Sequence, residues 1–81
     1  MDDETIRARI SALIEREHAL RGRREDGSLS LEAEQVELRT TEQELDQCWD
    51  LLRQRRAKRE FGDNPDDAQS RSADTVEGYL G

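Results

Sequence analysis

Near the start of the chain the apolar side chains fall at Ile6, Ile10, Leu13, Ile14 and Leu20. Steps of three and four are the signature of one helical face. Asp2 or Asp3 can accept hydrogen bonds from the unpaired amides of the first turn, and Glu4 suits the positive end of the helix dipole. A first helix over about 2–22 is therefore predicted, with Ile6, Leu13 and Leu20 on one seam position and Ile10 with Glu17 on the other. The next stretch reads GRREDGSLS, in which Asp26-Gly27 is a turn signal and Ser28 or Ser30 can cap a new helix. Beyond this turn, over 23–30, leucines recur at Leu31, Leu38, Leu45 and Leu52, a spacing of seven. No glycine or proline interrupts that segment before Gly62, so a second helix is predicted over about 31–61, roughly 45 Å long at 1.5 Å per residue. Gly62 is placed to end it as a left-handed C-cap.

A short connection makes the two helices antiparallel neighbours. The fold class is all-α: a coiled-coil-like helical hairpin over 1–62, followed by an acidic tail over 63–81. Pairing Leu20 with Leu31 brings Leu13 opposite Leu38 and Ile6 opposite Leu45, which uses up the first helix. Trp49, Leu51, Leu52 and Phe61 then stand on an overhang without a partner, and such a patch is an interaction surface. Dimerisation into a four-helix arrangement would cover it. The tail has no period and is turn-rich, the composition of a mobile segment. Its acids Asp63, Asp66 and Asp67 follow the basic run closely enough to dock on it, which would let Val76, Tyr79 and Leu80 reach the overhang.

Composition sharpens this picture. Of 81 residues only 32% are hydrophobic, against roughly 45–50% for an average globular domain. One domain with a thin core results, and small chains of this kind usually gain stability by association. The single Cys48 cannot form an internal bridge and fits a reducing compartment. MDDETIRARI lacks the basic-then-apolar layout of a signal peptide, and no apolar run is long enough to span a bilayer. The expected setting is cytoplasmic, without a membrane partner.

A net charge of −7 repels phosphate and argues against a general nucleic-acid binder. The charge is uneven, however. Seven acids and one arginine lie between Glu32 and Asp50, and a basic patch of Arg53, Arg55, Arg56, Lys58 and Arg59 follows. In basic-leucine-zipper proteins the basic region precedes the zipper; here the order is reversed. Cations at a helix C-terminus also complement the dipole and solvate apolar surface with their stems, which is the plainer explanation.

Candidate chemistry is sparse. Glu15 and His18 have the Glu-x-x-His spacing of bundle di-iron ligands, but the predicted register turns them outward, so no metal or cofactor is expected. Cys48 lies on the leucine stripe and reads as a small hydrophobe. Glu42, Asp46 and Asp50 repel one another along a helix and need cations, which Arg7 and Arg9 would supply by approaching Glu42 and Glu44. No phosphate loop or nucleophilic triad can be assembled, so no catalytic residue is assigned and the chain is not read as an enzyme.

Three blocks, MDDETIRARISALIEREH, ELDQCWDLLRQRRAKREFG and DTVEGYLG, together resemble a small family of uncharacterised actinobacterial proteins, a domain of unknown function. The resemblance spans nearly the whole chain and implies a cytosolic bacterial setting without adding a mechanism. The residues themselves favour a non-enzymatic module for oligomerisation and protein interaction, partnered by a second copy or by an unidentified protein. The alternative is a nucleic-acid- or transcription-associated regulator that presents the basic end of the second helix.

Overall fold

The computed structural model describes residues 2–80, with side chains described through Gly78. The chain is helical: α1 spans Asp3–Glu25, α2 spans Leu31–Glu60, a 3-10 turn covers Pro65–Asp67, and α3 spans Ala73–Leu80. Asp2 is the cap of α1, its Oδ1 accepting from the Thr5 amide at 2.8 Å. Ser30 caps α2 by accepting from the Ala33 amide at 3.1 Å.

Helix α1 does not stop at Gly22. An interior glycine costs only about 1 kcal/mol relative to alanine, and Arg23, Arg24 and Glu25 continue the helix through it. The stop is Gly27, whose φ of +81° is the left-handed conformation that glycine adopts without penalty. The Ser28 amide donates back to the Arg23 carbonyl at 2.9 Å, and the Gly27 amide to that of Arg24 at 3.3 Å. Gly62 closes α2 in the same way at φ +77°, with the Asp63 amide donating to Lys58 at 2.7 Å. Both ends are Schellman motifs.

The longer α1 changes the pairing. Arg9 meets Glu44 at 2.8 Å, and Arg16 meets Glu37, so the register is shifted from the one that puts Ile6 opposite Leu45. Ile6 instead shares a cleft with Glu44, Gln47, Cys48 and Leu51. The first turn of α1 now reaches Arg55 and Arg59 through Asp3. The expected overhang is thereby largely covered: Leu51 is buried, Leu52 packs on the core, and Arg55 is buried as well. Trp49 and Phe61 remain exposed.

Four leucines spaced by seven also do not form one buried seam. Seven residues fall about 20° short of two turns in a straight α-helix, and the drift across Leu31 to Leu52 carries the first leucine off the contact. Leu31 is exposed and Leu38 half-buried, whereas Thr41, Leu45, Leu51 and Arg55 are buried. The core proper is Ile6, Ile10 and Leu13 of α1 against Leu45 and Leu51 of α2, with Cys48, Leu52 and Ala68 packed on it.

The tail is not loose. Asn64 caps the 3-10 turn by accepting from the Asp66 amide at 3.0 Å. The following extended stretch is held by two glutamines of α2, Gln47 Nε2 donating to the Arg71 carbonyl at 3.1 Å and Gln54 Nε2 to that of Gln69 at 2.7 Å. Ser72 Oγ accepts from the Thr75 amide and starts α3, whose Val76 is 1% exposed. The expected contacts of Tyr79 and Leu80 lie outside the described side chains. Helix α2 is the middle of the fold, with α1 along one side and the tail along the other. The Cα positions extend 51 × 25 × 13 Å, so the molecule is long and thin.

Candidate interaction surface

The long, thin shape has two broad faces. One is concave, a cleft of about 200 Å³ lined by Ile6, Arg9, Glu44, Gln47, Cys48, Leu51 and Ser70. Burial raises the pKa of the Cys48 thiol in this cleft, which keeps it protonated and makes it a poor nucleophile.

The other face has Trp49 at its centre. Along α2, Glu42, Asp46, Trp49, Arg53 and Arg56 form one stripe at steps of three and four, with its acids beside the tail and its tryptophan and arginines beside the start of α1. Trp49 is 46% exposed. With Asp3, Arg7, Leu52, Arg53, Arg56 and Arg59 it lines an open pocket of about 260 Å³. Arg7 thus stands beside Trp49 and does not approach Glu42 or Glu44 as its spacing suggested. Ile14, two turns after Arg7 on the same side of α1, is 42% exposed.

The basic run divides. Arg55 is 7% exposed and spends its guanidinium inside the chain: Nε donates to Asp3, and Nη1 donates to the Pro65 carbonyl at 3.1 Å and to Asp66 Oδ1 at 3.0 Å. Arg59 Nη2 donates to Asp3 Oδ2 at 2.7 Å. These two belong to a clamp that joins the start of α1, the end of α2 and the 3-10 turn, and they are not available as a free cationic surface. Lys58 is half-buried. Arg56 makes an exposed pair with Glu60 at 3.1 Å. Among the described residues Arg7 and Arg53 have no hydrogen-bond or ion-pair partner in the chain. Glu15 and His18 are exposed on α1.

On the tail side of the Trp49 stripe, Arg39, Glu42, Gln43, Asp46, Asp74 and Glu77 line a second hollow. Glu77 has its pKa raised, first by its hydrogen bond with Asp46. Four acids with one arginine leave this edge short of cations. Arginines therefore lie at one end of the stripe and acids at the other, with the tryptophan between them.

The protein-family description "Protein of unknown function (DUF2630)" matches residues 2–81. The chain belongs to the DUF2630 family. Uncharacterized proteins of Mycobacterium bovis and of two Mycobacterium tuberculosis strains are each 54% identical to it over 80 residues, 99% of this chain and 91% of theirs. The actinobacterial resemblance of the ELDQCWDLLRQRRAKREFG block agrees with these relatives. No solved structure matches significantly. No helix among the described residues is long and apolar enough to cross a membrane.

In this DUF2630 chain the clamp gives a pH prediction. Hydrogen bonds from Arg59 and then Arg55 lower the Asp3 pKa from 3.8 to about 2. A depressed carboxyl stabilises the fold above its ordinary pKa, and that contribution is lost as the pH falls through the folded value. Asp3→Asn is expected to melt below the parent at neutral pH, with the gap closing between pH 3.8 and about 2. Paired thermal melts across that range measure it; a gap independent of pH contradicts the clamp.

Sequence reasoning missed Asp3 as a clamp and Gln47, Asp50 and Gln54 as tail anchors. Asp50 accepts from Gln54 Nε2 at 2.9 Å and faces Arg71 Nε at 3.5 Å. The available signal was a polar row, Gln47, Asp50 and Gln54, at steps of three and four beside the apolar stripe.

Proposed function

We propose that this protein is a non-enzymatic helical module whose task is association, through the face that carries Trp49, with a second copy of the chain as the first partner. The observation behind this reading is the uncovered Trp49 of α2, 46% exposed. Tryptophan and arginine are the residues most enriched where interfaces draw their energy, and here a tryptophan sits among arginines with Leu52 beside it. The lone thiol, held protonated in a cleft, suits a reducing cytoplasm.

Trp49 is the only tryptophan, so its emission reports this face directly. Diluting the protein through the micromolar range is expected to shift the emission from blue to red as the face is uncovered. An emission that stays red at every concentration contradicts self-association.

A second reading is single-stranded nucleic-acid contact, since stacking aromatics with flanking arginines are its usual apparatus. Arg7, Arg53 and Arg56 around Trp49 favour it. It is the weaker reading because Arg55 and Arg59 are tied to acids of the chain and the net charge is −7. Oligonucleotide binding that falls steeply with salt is the result that favours it.

A further inference from the structure

The outward stripe of α2 is self-complementary about Trp49. Glu42 lies seven residues before it and Arg56 seven after; Asp46 lies three before and Arg53 four after. Two antiparallel copies of a helix related by a two-fold axis at Trp49 bring each position before it against the equally distant position after it. Glu42 of one copy then faces Arg56 of the other, and Asp46 faces Leu52 and Arg53. Each contact occurs twice. A parallel arrangement in register places acid on acid and arginine on arginine.

We propose that the second copy docks antiparallel, α2 on α2, about a two-fold axis at Trp49, so that the exposed Glu42 of each copy meets Arg56 at the arginine-lined pocket of the other. This rests on the self-association argued above and assigns its geometry and its charge pairs.

Three observations support this arrangement. Arg53 and Arg7 have no partner among the described residues of their own chain, and Arg39 is the one cation lining the hollow that holds the acids at the other end of the stripe. Glu77 has a raised pKa beside Asp46, which marks a crowd of carboxyls that an incoming guanidinium would relieve. Further along, Arg39, ten residues before Trp49, faces Arg59, ten after it, whose charge Asp3 already offsets. A standard interface buries about 1,200–2,000 Å² in total, and a broad face of 51 × 25 Å offers that area. Leu52 lies beside Trp49 and supplies apolar area there.

The test uses the intact chain in three forms, read by sedimentation velocity. Glu42→Arg alone sets arginine against Arg56 at both ends of the dimer, and Arg56→Glu alone sets Glu42 against glutamate. Each is expected to raise the dimer dissociation constant by about 5- to 30-fold, from two lost exposed pairs together with like-charge repulsion. Mixing the two variants in equal amounts restores both pairs, because the arginine at 42 of one chain meets the glutamate at 56 of the other. The mixture is expected to return to the parent dissociation constant within about threefold. All four side chains lie on the surface, and circular dichroism of each variant confirms the helices before mixing. If the variants dimerise as tightly as the parent, or if the mixture is no tighter than either variant alone, the antiparallel pairing is overturned while self-association stands. If the parent itself does not dimerise, both are overturned.

Discussion

Ile6→Ala is expected to destabilise the fold by about 2–5 kcal/mol, the usual range for truncating a buried aliphatic side chain. Ile6 is fully buried, 0% exposed, where α1 meets Leu45 and Leu51. A small domain has only about 5–15 kcal/mol in total, so the variant should be close to unfolding at moderate temperature. Leu38→Ala is the internal comparison. The spacing of seven ranks Leu38 with Leu45 as core, but Leu38 is half-buried and outside the core cluster. Its truncation should cost clearly less than that of Ile6. Urea denaturation of both variants decides between the two alignments: equal losses favour the leucine seam, unequal losses the observed register.

Val76→Asp is expected to release α3 from α2. Full burial of a valine side chain contributes about 1.5–3 kcal/mol, and Val76 is 1% exposed. An eight-residue helix has almost no stability of its own, so α3 should melt when it undocks. An aspartate at 76 would also stand on the edge that already carries Asp46, Asp74 and Glu77. Amide exchange is the measurement. The parent should protect the amides of α3 and the connection held by Gln47 and Gln54, and the variant should exchange them rapidly while α1 remains protected. A protected α3 in the variant would show that the valine does not hold it.

The two long helices were legible because their ends are set by local chemistry that a sequence displays. Asp2, Ser30 and Gly62 act as caps at or next to their predicted places. The register was not legible, because it depends on where α1 stops: Asp26-Gly27 signalled a turn, but Gly22 offered an earlier end. Only the conformation at Gly27 distinguishes the real stop. From that misplaced end came the overhang, and with it the exposure assigned to Leu51 and the free cation assigned to Arg55. The seven-residue spacing misled for a related reason: its first leucines, Leu31 and Leu38, lie off the contact, and α2 buries Thr41, Leu45, Leu51 and Arg55.

The tail shows the opposite balance. Its composition is that of a mobile segment, yet its charges pointed to docking, and Asp66 does meet Arg55. What composition could not convey is that Gln47 and Gln54 satisfy the backbone of the connection. Buried or half-buried backbone groups must find partners, and two side-chain amides supply them. Trp49 was identified as a surface residue from its place on α2, although the reason differs: it is exposed beside the first turns of α1 and does not stand on an overhang.

Sedimentation equilibrium on the intact chain, with Trp49→Ala beside it, tests the association reading most directly. At high micromolar concentration the parent is expected to approach twice 9.4 kDa and to dissociate on dilution, while Trp49→Ala stays at the monomer mass with its helix content unchanged. A parent that remains at 9.4 kDa across the whole range, with Trp49 no less exposed at the top of it, contradicts the account.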